Sequence, residues 1–238
     1  MVERFLAKEE VAGSNPVHRS KMLLINFKTY SQAIGPNALK LTQKLAETAQ
    51  KFAGVAVGFA PPSLELAEVA AHTGFPIWAQ HTDPAGEGQF TGYLSPADAK
   101  AAGAVGTFLN HSEHQIGTAA IRETLELAKK TGLKVLIFAS DPEKVADFGK
   151  LSPDFIAYEP PELIGGEISV TSAKPKIISE AVTAAGRIPL LIGAGIHEKS
   201  DIIKALELGA IGAVVSSAVV TATDPEAVFA DLLSGLKR

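Results

Sequence analysis

Three side chains that could do chemistry together stand just after the ends of separate apolar runs. Lys28, His111 and Glu159 each follow such a run by no more than two residues. A carboxylate can remove a proton, an imidazole can polarise an oxygen, and an ammonium can stabilise the negative charge that results. If the fold brings them together, they suit a reaction that moves a proton between a carbonyl carbon and the carbon next to it.

Glu159 is the candidate base. It stands between an apolar run and Pro160, so its carboxylate has little freedom to move away from a substrate. A solvated carboxylate is a weak base, so the pKa of Glu159 must be raised by desolvation. The loop 160–166 could supply this by closing, with Gly165 and Gly166 as its hinge. Taken alone, the same residue could be a structural carboxylate paired with Lys28 or an arginine.

His111 is the candidate electrophile. Ser112, with Gln115 three residues later, is typical of a capping box, which predicts a helix over 113–131. The positive end of that helix would favour the neutral imidazole. Metal ligation with Glu113 and His114 is an alternative, but the pair lacks the His-Glu-x-x-His spacing. Another alternative is that His111 is a buried histidine that contributes only to packing.

Two turns rich in glycine and serine are candidates for binding a phosphate. The segments 193–196 and 212–220 contain no lysine or arginine, so an anion there would depend on backbone N–H groups. We select Gly195, Ser216 and Ser217 for this role. A turn such as 193–195 is common between strands and helices, so it is weak evidence by itself.

The elements that must position these groups alternate along the chain. Apolar, β-branched runs predict eight strands, at 22–27, 55–60, 76–80, 105–109, 134–139, 154–158, 189–193 and 211–215. Helical spacing predicts helices at 37–52, 63–73, 96–102, 113–131, 142–149, 171–186, 198–208 and 224–236. Ser95-Pro96 and Asp224-Pro225 combine a capping residue with proline at the first helical position.

Eight short, apolar, parallel strands are better closed into a barrel than left as an open sheet. We therefore predict a single-domain (β/α)8 barrel of the α/β class. The alternative is a doubly wound sheet, but the first strand–helix turn, at 26–35, has no G-x-G-x-x-G segment. In a barrel the residues that follow the strands form one mouth, where Lys28, His111 and Glu159 would meet.

Composition narrows the class of protein. The chain has 238 residues, 46% of them hydrophobic, and a formal net charge of -4 with no cysteine. This apolar content excludes disorder, and the absence of a basic run argues against nucleic-acid binding. Thiol chemistry is excluded, and no apolar run approaches the ~20 residues that span a bilayer.

Residues 1–21 differ from the rest because they are polar and mixed in charge. We expect them to lie outside the fold, with residues 22–238 forming the catalytic barrel. They are either a non-native extension read from upstream of Met22 or a short disordered or docking segment.

Five segments, in order, resemble the signature segments of the triosephosphate isomerase family. They are Asn26-Phe27-Lys28-Thr29-Tyr30, Ala79-Gln80-His81, Phe90-Thr91-Gly92, Asn110-His111-Ser112-Glu113 and Ala157-Tyr158-Glu159-Pro160. The resemblance covers about residues 22–236. The lid segment 160–166, the turn 193–196 and Asn110 before the histidine resemble the shorter archaeal branch.

The resemblance implies interconversion of dihydroxyacetone phosphate and glyceraldehyde 3-phosphate through an enediolate, without cofactor or metal, in glycolysis and gluconeogenesis. It implies Lys28 as electrostatic partner, His111 as electrophile and Glu159 as base. Asn26 would lie beside the substrate. From its position next to these residues, we expect Glu113 to orient Lys28 or the network on the substrate side. Ile164 and Gly166 would reach the phosphate when the lid closes.

The family also implies a cytoplasmic homo-oligomer, with a homotetramer favoured and a homodimer possible. Some features depart from the family pattern. Ser217 and Ala218 replace glycine found in many members, and Phe138-Ala139-Ser140 lacks a cysteine that many keep. Two rival functions stay open: another phosphate-binding barrel enzyme, acting on a phosphoribosyl or indole substrate, and a non-catalytic barrel that serves as a binding partner.

Overall fold

The computed structural model describes residues 20–160 and 175–237. Its strands are β1 (Met22–Asn26), β2 (Ala56–Ala60), β3 (Trp78–Ala79), β4 (Gly106–Leu109), β5 (Lys134–Ala139), β6 (Phe155–Tyr158), β7 (Leu190–Ile192) and β8 (Gly212–Val215). Its α-helices are α1 (Pro36–Ala49), α2 (Leu66–Thr73), α3 (Pro96–Ala101), α4 (Thr118–Thr131), α5 (Pro142–Gly149), α6 (Pro175–Ala185), α7 (Lys199–Glu207), α8 (Ser217–Val220) and α9 (Pro225–Leu236). A 3-10 helix covers Ser31–Ala33.

The strands form one parallel sheet that closes on itself. Its order is β2-β1-β8-β7-β6-β5-β4-β3, so the first and last strands in the chain are neighbours. A parallel bridge between Phe59 and Ile77, with a 3.0 Å hydrogen bond from the Phe59 N–H to the Pro76 carbonyl, joins β2 to β3. The predicted (β/α)8 barrel is confirmed, and the doubly wound alternative is wrong.

Alternation along the strands separates the barrel interior from the helix layer. Leu23 and Ile25 of β1 pack in the large cluster shared with the helices, whereas Met22 and Leu24 belong to the smaller cluster inside the barrel. Because side chains alternate with a period of two, Asn26 continues the inward series at the mouth. In β6 the same rule places Glu159 two residues beyond the inward-facing Ala157.

Trp78 fills much of the barrel interior, and two glycines make room for it. A Cβ added at Gly106 would lie 2.5 Å from Trp78 Cζ3, and one at Gly58 would lie 2.8 Å from Trp78 Nε1. Phe108 and Phe155 pack on the indole, with ring centroids 5.7 and 6.0 Å away. The interior is therefore closed below the mouth, and the space for a ligand lies above it.

The predicted strand positions agree with the structure to within about two residues, and two helix starts agree in detail. The Ser95 hydroxyl accepts from the Asp98 N–H at 3.0 Å, and the Asp224 carboxylate accepts from the Ala227 N–H at 3.0 Å. The helix α8 was not predicted. The predicted residues 171–174 of the sixth helix, and the predicted lid residues from 161 onward, lie outside the described residues.

The predicted start of the fourth helix is wrong. This helix begins at Thr118, with Gly117 as its N-cap, so Ser112 and Gln115 do not form a capping box. The segment before the helix makes other hydrogen bonds instead. The Ser112 N–H donates to Glu159 and the Ile116 N–H donates to the Asn110 side chain.

No helix in the described ranges is long and apolar enough to cross a membrane.

Candidate active site

The structure brings Lys28, His111 and Glu159 to one cleft at the mouth of the barrel. The cleft has an empty volume of ≈ 540 Å³, open solvent included, and Asn26 also lines it. These residues come from the ends of β1, β4 and β6, which parallel pairing directs to the same side of the barrel. This placement agrees with the prediction from the sequence that the three residues share one site.

Glu159 is held at the end of β6 in a buried environment. Its N–H donates to the Ala139 carbonyl at 2.8 Å, which extends the pairing with β5 by one residue. Its Oε2 accepts from the Ser112 N–H at 3.2 Å. Burial raises the pKa of Glu159 to about 7, against the opposing effects of Ser112 and of the charge on Lys28. A carboxylate with this pKa can accept and return a proton near neutral pH.

Gly193 forms a close wall beside this carboxylate. A Cβ added at Gly193 would lie 3.3 Å from the Glu159 Cβ and 3.3 Å from Phe138 Cε1. The Gly193 N–H also donates to the Tyr158 carbonyl at 2.8 Å. Glycine at this position therefore leaves room for the Glu159 side chain.

Asn110 turns the chain so that His111 enters the cleft. Its φ is +59°, the left-handed region that asparagine tolerates better than most residues. Its Nδ2 donates to the Phe138 carbonyl at 3.0 Å, and its Oδ1 accepts from the Ile116 N–H at 3.1 Å. The asparagine side chain thus ties the turn to β5 while its backbone redirects the histidine.

His111 is positioned as a neutral donor. Its Nδ1 accepts from the Glu113 N–H at 3.1 Å, which assigns the proton of the neutral ring to Nε2. Nε2 lies 3.3 Å from Glu159 Oε1. Burial, and next the charge on Lys28, lower the pKa of His111 to about 4. The expected neutral imidazole agrees with this, but the expected cause was wrong, because the helix begins only at Thr118.

Lys28 is held at three points. Its φ is +46°, and its N–H donates to Asn26 Oδ1 at 3.0 Å. Its carbonyl accepts from Gln80 Nε2 at 3.0 Å. Its Nζ donates to Glu113 Oε1 at 2.6 Å, so the expected contact of Glu113 with Lys28 is present. The ammonium is therefore fixed both at its backbone and at its tip.

The residues selected for phosphate binding line the opposite wall of the same cleft. Gly195, Ser216 and Ser217 all contribute to it. Ser216 immediately precedes α8, and its Oγ is buried with no hydrogen-bond partner among the described residues. Ile164 and Gly166 lie outside the described residues.

Two ring side chains that line the cleft, Phe138 and His197, were not proposed from the sequence. Phe138 packs edge-on against the His111 ring, with centroids 4.7 Å apart, and His197 lines the phosphate-side wall. Ser112, which was assigned to a helix cap, bonds Glu159 instead. Phe138 could have been found from the inward register of β5, two residues beyond Leu136.

The alternative of a metal site at His111 and His114 has no support from the geometry. Within residues 20–160 and 175–237, no three histidine, aspartate or glutamate side chains are grouped so that they could hold a metal ion. His114 stacks on His81 instead.

Fold and cleft together define a (β/α)8-barrel enzyme with an acid–base site at the carboxyl ends of its strands. Comparison with known proteins narrows this class. The sequence profile of the family described as triosephosphate isomerase matches residues 21–236. Triosephosphate isomerase from Methanosarcina acetivorans is 38% identical over 218 residues, which cover 90% of this chain and 98% of the relative. The enzyme from Saccharolobus solfataricus is 39% identical over 220 residues, covering 91% and 96%.

The chain belongs to the triosephosphate isomerase family and resembles its archaeal members. It is therefore an aldose–ketose isomerase. A solved structure of triosephosphate isomerase from Bartonella henselae matches with a TM-score of 0.72 at 17% identity, over 92% of this chain and 100% of that one. This second comparison supports the fold.

Proposed function

We propose that the chain interconverts dihydroxyacetone phosphate and D-glyceraldehyde 3-phosphate, with Glu159 as base, His111 as electrophile and Lys28 as electrostatic partner. The observation that carries these roles is the contact of Glu159 with His111. The pKa of the acid is raised to about 7 and that of the imidazole is lowered to about 4. Between these values the ring is neutral, and above the higher one the carboxylate is ionised.

In this mechanism Glu159 removes a proton from the carbon beside the substrate carbonyl. The electron pair moves into the carbonyl group, and negative charge develops on its oxygen. His111 Nε2–H donates to that oxygen, and the Lys28 ammonium stabilises the enediolate. Glu159 then returns the proton to the former carbonyl carbon. The former carbonyl oxygen gains a proton and the hydroxyl oxygen of the first carbon loses one, so a new carbonyl group forms and no group is gained or lost. Glu159 is held in place because its N–H bonds the Ala139 carbonyl and its carboxylate accepts from the Ser112 N–H.

We place the phosphate at the wall formed by Gly195, Ser216 and Ser217, with Asn26 beside the triose. Backbone N–H groups at the start of a helix have no partner within that helix. The Ser216 Oγ, which has no hydrogen-bond partner among the described residues, supports a polar ligand at this wall. Ile164 and Gly166 complete the seat in this proposal when the lid closes.

The test of the proposal is a coupled assay with glyceraldehyde 3-phosphate, comparing wild type with two substitutions of Glu159. Loss of a positioned base costs about 10²–10⁴-fold. Both proton transfers at carbon depend on Glu159 in this mechanism, so Glu159→Gln is expected in the upper half of this range, with kcat lowered by at least about 10³-fold. Glu159→Asp retracts the carboxylate, and its kcat is expected to lie between those of wild type and Glu159→Gln. Glu123→Gln, an exposed change on α4, is the control. Turnover by Glu159→Gln equal to wild type, with the fold intact, would refute Glu159 as the base.

The same assay separates the rival functions. A barrel acting on phosphoribosyl or indole substrates would not turn over the triose phosphates, and a non-catalytic barrel would show no activity that Glu159→Gln removes. The cleft favours the triose, since Phe138 and the imidazoles of His111 and His197 are the aromatic rings that line it in the described ranges.

We further propose a cytoplasmic homo-oligomer that serves glycolysis and gluconeogenesis, with a homotetramer favoured over a homodimer. Support comes from large apolar side chains that stand exposed. Leu64 is 94% exposed, Tyr93 54% and Phe90 41%. A monomeric protein rarely leaves such groups in water close together, and Phe90 and Tyr93 contact each other edge-on. Sedimentation equilibrium measures the number of subunits.

We also propose that residues 22–238 form the catalytic domain and that residues 1–21 are not needed for it. The family match, which begins at residue 21, supports this division. A chain that starts at Met22 is expected to keep the kcat of the full chain, and a loss of activity would contradict the division.

A further inference from the structure

Two histidine rings stack on the side of Lys28 that faces away from the phosphate wall. The centroids of His81 and His114 are 4.2 Å apart, and their planes are inclined by 32°. Both rings line a second cavity that shares Asn26, Lys28 and His111 with the catalytic cleft. The proposed mechanism uses neither ring.

Each ring follows directly in sequence a residue that holds Lys28. His81 follows Gln80, whose Nε2 donates to the Lys28 carbonyl at 3.0 Å. His114 follows Glu113, whose Oε1 accepts from Lys28 Nζ at 2.6 Å. The stack therefore joins the two strand-end segments that hold the backbone and the tip of the same lysine.

The His81 ring and the His114 backbone are also anchored to their own segments. His81 Nε2 lies 3.3 Å from Asp83 Oδ1, and the other oxygen of Asp83 accepts from the Leu94 N–H at 2.8 Å. The His114 N–H donates to the His111 carbonyl at 2.8 Å and closes the turn that carries the electrophile. A shift of either ring would thus move a segment on which Lys28 or His111 depends.

We propose that the His81–His114 stack is a positioning element for Lys28, acting through Gln80 and Glu113. It rests on the function proposed above for Lys28. The two rings contact no substrate, so they are positioning residues. The Lys28 ammonium attracts the charged phosphate of the bound substrate as well as the enediolate that forms later. Removing the stack loosens the lysine, and because part of its contribution is to substrate binding, this is expected to raise KM more than it lowers kcat.

The surroundings of the stack favour the neutral form of His81. Asp83 faces His81, while Glu113, His111 and Lys28 face the same cavity. Burial, and next the neighbouring His114, lower the pKa of His81. Two protonated imidazoles at this distance would repel each other, so the lowered pKa keeps the contact attractive.

The test compares His114→Ala with His114→Phe, which keeps a planar ring. An aromatic pair of this kind corresponds to roughly a two- to tenfold change, so His114→Ala is expected to raise KM about fivefold with kcat changed less than twofold. His114→Phe is expected to restore KM to within about twofold of wild type. His72→Ala, on the exposed face of α2, is the matched control and should leave both constants unchanged.

A double-mutant cycle with Glu113→Gln distinguishes positioning through Lys28 from a merely structural role. If the stack acts through Glu113, His114→Ala adds little to the effect of Glu113→Gln, whereas independent effects multiply. Multiplied effects, or a His114→Phe variant as impaired as His114→Ala, would overturn the proposal. The equivalent pair His81→Ala and His81→Phe repeats the test from the other segment if His114→Ala does not fold. Wild-type activity in Glu159→Gln would instead overturn the proposed function, so the two failures are distinguishable.

Discussion

Two carboxylates flank the same imidazole, one at the end of β6 and one in the turn after β4. Glu159 Oε1 lies 3.3 Å from His111 Nε2, and Glu113 Oε2 lies 3.7 Å from Nδ1. The Glu159 side chain is 5% exposed, whereas that of Glu113 is 55% exposed. Distance to the imidazole is similar for both acids, so burial is the larger difference between them.

The hydrogen-bond partners of the two carboxylates differ as well. Glu159 accepts a hydrogen bond from the backbone of Ser112, which carries no net charge. Glu113 accepts from the Lys28 ammonium, which is a cation. A buried acid with a neutral partner can exchange a proton, whereas a solvated acid paired with a cation is suited to holding that cation in place. These surroundings suit Glu159 to the role of base and Glu113 to the role of positioning residue.

The strongest test of this comparison is the difference in activity between Glu159→Gln and Glu113→Gln, for which we expect the largest effect. Glu159→Gln removes the base and is expected to lower kcat by at least about 10³-fold. Glu113→Gln leaves the base and loosens Lys28, and a misplacement of about 1 Å corresponds to a loss of up to about 100-fold. We therefore expect Glu113→Gln to lose roughly 10- to 100-fold in kcat/KM, measured in the coupled assay. Equal losses, or the larger loss in Glu113→Gln, would reverse the assignment.

The pH dependence of kcat/KM sharpens the comparison further. The pKa of Glu159 is raised to about 7, so its ionised, active form is lost as pH falls through that value. His111, with its pKa lowered to about 4, stays neutral over the same range. Below pH 7 we expect kcat/KM to fall about tenfold per pH unit, after correction for titration of the substrate phosphate near pH 6.

The matched control for this profile is Glu113→Gln. If Glu159 is the titrating base, this variant keeps an inflection within about one unit of wild type, at a lower overall rate. An inflection that disappears in Glu113→Gln would assign the titration to the exposed acid and contradict the comparison.

Much of the fold follows from sequence because the strands are short and buried on both faces. Runs such as 135–139 are apolar along their whole length, and capping residues such as Ser95 and Asp224 mark helix starts by local chemistry. The placement of Lys28, His111 and Glu159 follows as well, since residues just past parallel strands must share one mouth. These inferences need only local pattern and topology.

The turn after β4 shows where such reasoning fails. Ser112 and Gln115 have the spacing of a capping box, but tertiary contacts override it. The Ser112 N–H bonds Glu159, which is 47 residues away, and no local pattern encodes that partner. The cause of the neutral imidazole was missed for the same reason, because burial of His111 depends on Phe138 and the other walls of the cleft. Long-range packing, rather than propensity, decides this turn.

The smallest expected effect is on the free energy of unfolding. The sign of its change with pH distinguishes a buried base from a structural acid. The pKa of Glu159 rises from 4.5 to about 7 on folding, so the folded protein binds the proton more tightly than the unfolded chain. Stability from this group is present below pH 4.5 and is lost as pH rises through about 7. An acid that stabilised the fold by ion pairing would show the opposite trend.

Glu159→Gln removes this titration while keeping the shape of the side chain. One pKa unit corresponds to about 1.4 kcal/mol, so we expect the free energy of unfolding of the variant to gain about 2–3 kcal/mol on wild type between pH 5 and pH 8. Urea unfolding at both pH values, at one fixed protein concentration, measures the difference. Glu113→Gln is the control and should gain far less, because its carboxylate is largely solvated and exposed ion pairs contribute little. A Glu159→Gln variant that loses stability relative to wild type as pH rises would show that the fold depends on the ionised carboxylate, and the roles of the two acids would then have to be exchanged or merged.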